Sequence, residues 1–162
     1  MLYLSATPAL EQLKLQQEVS MKRVRDILAV KGRDIWSIGP SESVYDAMKL
    51  MADKGIGALL VIEGEKLVGI ISERDYARKV ILQGRSSRTT QVREIMTSRV
   101  AYAELEQNIE ECMALMTEMR IRHLPVMESG KICGVISIGD LVKSIIAEQK
   151  FIIEQLERYI TG

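Results

Sequence analysis

The chain has 162 residues, 47% of them apolar and 27% charged, which is the balance of a folded globular protein and excludes a disordered or fibrous chain. Twenty-two Lys and Arg cancel 22 Asp and Glu, so the overall field gives no attraction to nucleic acid or to an anionic membrane. Aromatics at 4% and one histidine, His123, leave little material for a base-stacking platform or a histidine-rich metal site. Taken in chain order, residues 1–20 read as a weakly helical N-terminal extension, with glutamate and lysine where a secretory signal needs an unbroken apolar stretch. No apolar run approaches the roughly 20 residues that a membrane-spanning helix needs, and a cytoplasmic location is the expectation. VRDIL (residues 24–28) follows, and then the loop AVKGRD. Ile35, Trp36, Ser37 and Ile38 form a short extended run stopped by Gly39 and Pro40. Val44, Ala47, Met48 and Met51 recur at helical spacing, which predicts a helix starting at Glu42 or Ser43 and ending near Gly55. GALLVIEGEKLVGIIS reads as a β-hairpin turning at Glu63, Gly64 and Glu65. A second helix is expected from Glu73 to about Leu82, closed by Gly84.

The rest of the chain repeats this series. Residues 44–81 fall without a gap on residues 109–146, with Met48 on Met113, Leu59 on Leu124, Gly69 on Gly134, Ser72 on Ser137 and Asp75 on Asp140 among the identities. VREIM (residues 92–96) matches VRDIL, and the three-residue difference in spacing falls in the AVKGRD loop, where insertions cost little. The expected fold is α+β: two β-α-β-β-α repeats, residues 21–84 and 92–148, joined by a basic linker at 85–91. A unit of about 60 residues buries too little core to stand alone, so the two are expected to pack on each other about a pseudo-two-fold axis. Residues 149–162 continue as a C-terminal helix. The helical run from residue 143 onward carries a stripe of Ile145, Ile152, Leu156 and Tyr159 that suits the protein's own core or a second subunit better than a membrane.

GIISERD (residues 69–75) and GVISIGD (residues 134–140) stand where a strand gives way to a helix. Ser-x-x-Asp at such a place is a capping box, with the serine capping and the aspartate returning the bond. The same atoms also suit a ligand: a helix N-terminus favours phosphate, and a carboxylate accepts the hydroxyls of a ribose diol. Gly69 and Gly134, inside strands, permit close approach of a backbone or flat ring. Other constellations are structural. Gly55-Ile56-Gly57-Ala58 precedes a strand, which rejects a dinucleotide-binding loop. Cys112 and Cys133 read as core thiols rather than partners of His123, and two cysteines make no disulfide framework, which fits a reducing compartment.

Together the VRDIL and VREIM openings, SIGPSESVYDAMKLM, the GALLV and RHLPV strands and the two G-h-h-S-x-x-D endings resemble a tandem pair of cystathionine β-synthase (CBS) domains, or Bateman module, from residue 24 to about 147. The resemblance implies a stand-alone, non-catalytic regulatory module binding AMP, ADP, ATP, NAD or S-adenosylmethionine between its repeats; this reading takes AMP or ATP, or NAD, as the effector. It implies ribose binding by Asp75 and Asp140, and ribose or phosphate contacts from Ser72 and Ser137. Ser37 and Ile38 stand where the family reads the adenine edge, and the second repeat has Tyr102 and Ala103 there. Arg120, Arg122 and His123 stand where the family reaches phosphates; the first repeat has Gly55, Gly57 and Ala58 at those positions and Arg74 in its S-x-x-D segment. The two clefts are therefore expected to differ, with phosphate favouring the one reached by Arg122 and His123. A homodimer, an adenine nucleotide and an unidentified regulated protein are the expected partners. The rival readings are a nucleotide-processing enzyme and a ligand-free structural or dimerisation module.

Overall fold

A computed structural model describes residues 8–9 and 22–161. The expected N-terminal extension, residues 1–20, lies outside the described residues apart from Pro8 and Ala9. The fold is α+β. In chain order the elements are α1 (Val24–Lys31), β1 (Ser37–Ile38), α2 (Val44–Lys54), β2 (Ala58–Glu63), β3 (Lys66–Ser72) and α3 (Glu73–Lys79). The series then recurs as α4 (Val92–Ile95), β4 (Ala103–Glu104), α5 (Ile109–Met119), β5 (His123–Glu128), β6 (Lys131–Ser137) and α6 (Ile138–Thr161).

Each repeat builds a three-stranded sheet with the first hairpin strand in the middle, β1-β2-β3 and β4-β5-β6. The short strand runs parallel to the central one, pairing Ser37 with Leu60 and Ala103 with Val126. The hairpin is antiparallel and carries a bulge at the same place in both copies, between Val61 and Ile62 and between Val126 and Met127. α2 begins where Ser43 Oγ accepts the Asp46 N–H, and α5 where Asn108 Oδ1 accepts the Glu111 N–H. The expected Glu73–Leu82 helix is shorter. It stops at Val80, whose fully buried side chain joins the first core, and a single 3-10 turn, Ile81–Gln83, carries the chain to Gly84.

The cores interlock. Val24, Ile27 and Leu28 of α1 are buried with Ala103, Ile109, Cys112, Met116, Leu124, Val126, Ile136 and Leu141, so the helix that opens the first repeat lies in the second repeat's core. Reciprocally, Val92 and Ile95 of α4 are buried with Val44, Met51, Leu59 and Ile71 of the first repeat. Backbone bonds fix both exchanges: Val24 and Arg25 N–H donate to Gln107 and Leu105 carbonyls, and Val92 and Arg93 N–H donate to those of Glu42 and Pro40. Gly69 and Gly134 receive these helices. A Cβ on Gly134 would meet Leu28 Cδ2 at 2.8 Å, and one on Gly69 would meet Met96 Sδ at 2.6 Å and the Thr97 carbonyl at 3.0 Å. The close approach expected at the two glycines is therefore made by protein.

α6 runs unbroken through residue 149. Leu141 and Ile145 pack on the second core, but Phe151, Ile152, Ile153, Leu156, Tyr159 and Ile160 are exposed. No described helix is long and apolar enough to cross a membrane.

Candidate functional site

Both Ser-x-x-Asp segments form complete capping boxes. The Ser72 N–H donates to Asp75 Oδ2 at 2.9 Å and the Asp75 N–H donates to Ser72 Oγ at 3.2 Å. The Ser137 N–H donates to Asp140 Oδ2 at 2.8 Å and the Asp140 N–H to Ser137 Oγ at 3.2 Å. Beyond the cap the two copies diverge. Asp75 pairs along its own helix with Lys79, Oδ1 to Nζ 3.2 Å. Asp140 instead takes Lys31 from the end of the exchanged helix α1, Oδ2 to Nζ 2.6 Å, and the same ammonium donates to the Val135 carbonyl at 2.8 Å. Burial would raise the Asp140 carboxyl, but the Lys31 and Ser137 bonds outweigh it and hold the group below the usual aspartate range.

Asp140, Ser137 and Lys31 open onto a cleft of about 420 Å³ between the repeats. Its far wall is the first repeat: Trp36, the run from Gly55 to Leu60, and Ile70. The opening follows from side-chain size, because Gly55, Gly57 and Ala58 stand where the second repeat carries Arg120, Arg122 and His123. His123 enters from the second repeat and lies against Gly57, whose Cβ position is 3.5 Å from the imidazole Cε1. Burial, foremost, together with the Lys31 and Arg122 charges pushes the His123 pKa down against the opposing pull of Asp140.

Of the residues expected at the site, Ala58, His123, Ser137 and Asp140 share this cleft. Ile38 is buried in the first core, and Ser37 is exposed on β1 outside the lining. Ser72, Asp75 and Arg74 stand at the α3 N-terminus, where the Arg74 guanidinium donates to the Arg120 carbonyl at 3.0 Å and ties the repeats together. Arg120 is the left-handed C-cap of α5, and Arg122 is exposed next to His123. Tyr102 borders a different hollow of about 440 Å³ with Glu104, Glu106 and Glu128. Sequence reasoning missed Lys31, Asp34 and Trp36, which line the cleft. The available signal was the AVKGRD insertion, the one interruption of the match between repeats upstream of residue 44, which carries Lys31 and Asp34.

Cys112 is buried, and burial, with Glu111 beside it, pushes its thiol up to about 11, so it stays protonated and packs as an apolar group. Among the described residues no His, Cys, Asp and Glu side chains cluster in a way that would hold a metal ion.

Comparison with known proteins agrees with the fold. The CBS domain family matches residues 24–81 and 92–147, well over half of the chain. The mitochondrial CBS domain-containing protein CBSX3 of Arabidopsis thaliana is 39% identical over 149 residues, covering 86% of this chain and 72% of that protein. A solved structure of a protein with CBS domains from Burkholderia ambifaria MC40-6 is 59% identical with a TM-score of 0.77 over 79% of this chain and 96% of that one. The CBS domain pair of protein MJ0100, solved in complex with 5'-methylthioadenosine and S-adenosyl-L-methionine, is 24% identical and shares the fold, with a TM-score of 0.71 over 79% of this chain and 98% of its own. This chain belongs to the CBS domain family, as a tandem pair of CBS domains.

Proposed function

We propose that the protein is a non-catalytic regulatory module that binds an adenosine nucleotide, AMP or ATP, or NAD through its adenosine half, in the cleft containing Asp140. The observation that carries the reading is the convergence on one interdomain cleft of a partly buried carboxylate, a helix N-terminus and the indole of Trp36, over whose ring Lys54 Nζ lies 4.1 Å from the centroid. The carboxylate suits a ribose diol, the helix N-terminus suits a phosphate and Trp36 suits a flat base. The adenosine ligands of the MJ0100 pair support the ligand class. Bound ligand would join Asp140 of one repeat to Trp36 and residues 57–58 of the other. Its concentration would then set the stability of one inter-repeat arrangement, which a partner protein can sense. The two free cysteines, Cys112 and Cys133, fit a reducing compartment such as the cytoplasm.

Calorimetric titration with AMP, ATP, NAD and S-adenosylmethionine tests this. Micromolar binding of a nucleotide is expected, reduced at least tenfold in Asp140→Ala and retained in Asp75→Ala, because Asp75 lines no described cleft. Absence of binding at millimolar ligand to folded protein overturns the reading, and nucleotide turnover lost in Asp140→Ala would make the protein an enzyme. A second reading, a ligand-free structural module, is favoured by the two complete capping boxes. It predicts that both variants lose only the cap, about 0.5–2 kcal/mol of stability.

A further inference from the structure

Lys31 is the cation that the first repeat delivers into the second repeat's site. Most of the ion pairs join two well-exposed side chains, as Arg23 with Glu106 and Arg85 with Glu94. Among the described residues, two involve a carboxylate that is largely buried: Asp75, 16% exposed and served by its own helix, and Asp140, 18% exposed and served by Lys31. Both the Lys31 ammonium and the Ser137 N–H land on Asp140 Oδ2, and no described bond uses Oδ1. A vicinal diol that chelates a carboxylate needs both oxygens, so one ribose hydroxyl and Lys31 compete for Oδ2.

We propose that Lys31 is the specificity-determining residue of this cleft. Displaced from Asp140 by the ribose, its ammonium moves to the 5'-phosphate of the ligand, so that the cleft selects phosphorylated adenosine over the uncharged nucleoside. This rests on the adenosine reading given above. An uncharged nucleoside takes the lysine's partner and offers none in return, so the ammonium keeps only the Val135 carbonyl and solvent and its charge-assisted bond to Asp140 is lost. A phosphate replaces one charge-assisted bond by another, and the flexible four-carbon stem lets the ammonium make that exchange. No other permanent cation lines the cleft among the described residues: Arg120 and Arg122 stand outside the lining, and the remaining charges there are the acidic Asp34 and Asp140.

The test is titration of AMP and of adenosine into the wild type and Lys31→Met, which keeps the apolar stem and removes the charge, with Lys31→Gln as a second variant should the first unfold. Wild type is expected to prefer AMP, and the variants to lose AMP affinity tenfold or more while adenosine affinity stays the same or rises. Equal losses for both ligands would reduce Lys31 to a support for Asp140 and overturn the inference, as would unchanged AMP affinity or a wild type that binds adenosine as tightly as AMP. A wild type that binds neither ligand would overturn the adenosine reading itself, and this inference with it.

Discussion

His123 occupies the position at which the first repeat has Ala58, and it brings a titratable ring into an interdomain cleft. Burial is the largest influence on it and favours the neutral imidazole; the Lys31 and Arg122 charges act the same way, and Asp140 opposes them. The folded protein therefore holds His123 below its ordinary 6.5. A group depressed by folding contributes stability that is fully present above its unfolded value and is lost as pH falls towards the folded one. Urea unfolding midpoints should accordingly decline as pH falls from about 7 into the range below 6.5, and His123→Gln should flatten that decline. A wild-type profile no steeper than the variant's would show that the ring is solvated. Asp140, also depressed, has its window below 3.8 and does not blur the measurement. The same residues explain the inequality of the two sides. Two glycines and an alanine at residues 55, 57 and 58 line the cleft, whereas of their counterparts only His123 enters it and Arg120 and Arg122 stand exposed outside the lining.

At the scale of elements, the exchange of α1 and α4 makes each repeat incomplete without the other. Leu28 is 1% exposed and belongs to the second core, whereas Trp36, the single tryptophan, lies in the first repeat beside β1. Leu28→Ala should cost about 2–5 kcal/mol, the usual range for a buried leucine truncated to alanine. It should lower the midpoint of the Trp36 fluorescence transition by the same amount as that of the circular dichroism transition. Separate transitions would mean that the repeats unfold independently and that the exchange carries little energy. Much of this architecture was legible beforehand. The strands, the hairpin turn and the capping serines repeat almost residue for residue, and Val44, Ala47 and Met51 show at helical spacing which face of α2 is buried. Periodicity names the apolar face of VRDIL but not the core that it enters, so the exchange was not legible, and neither was its reason for glycine at 69 and 134. Lys31 was hidden for a related cause. It ends α1, in the segment where the spacing of the two repeats differs, and meets Asp140 only because α1 crosses over. The Glu73–Leu82 prediction failed at Val80 because apolar spacing does not distinguish one helix from a helix and a 3-10 turn that share a buried side chain.

For the whole molecule, the unresolved demand is the far half of α6. After Ile145 the helix leaves the core, yet Phe151, Ile152, Ile153, Leu156, Tyr159 and Ile160 are each at least 45% exposed. Contiguous apolar surface of this kind is uncommon on a monomer and marks an interface. Glu148, Lys150, Glu154, Glu157 and Arg158 supply charges of both signs along the same segment, a mixture suited to pairing with a second copy rather than to an anionic lipid surface, for which a basic face is needed. A stable dimer of standard size buries roughly 800 Å² per partner, which two such helices reach only if other exposed side chains also join. Light scattering should therefore give the mass of two chains at micromolar concentration, and Leu156→Asp, which sets a charge inside the apolar stripe, should weaken association at least tenfold. Because Leu156 lies well beyond the second core, the variant should keep the wild-type unfolding midpoint once dimer dissociation is allowed for by varying protein concentration. A monomeric wild type would leave the stripe to another protein. A dimer indifferent to Leu156→Asp would move the interface to the helices of the repeats themselves, where Tyr45, Ile81 and Leu82 are also exposed.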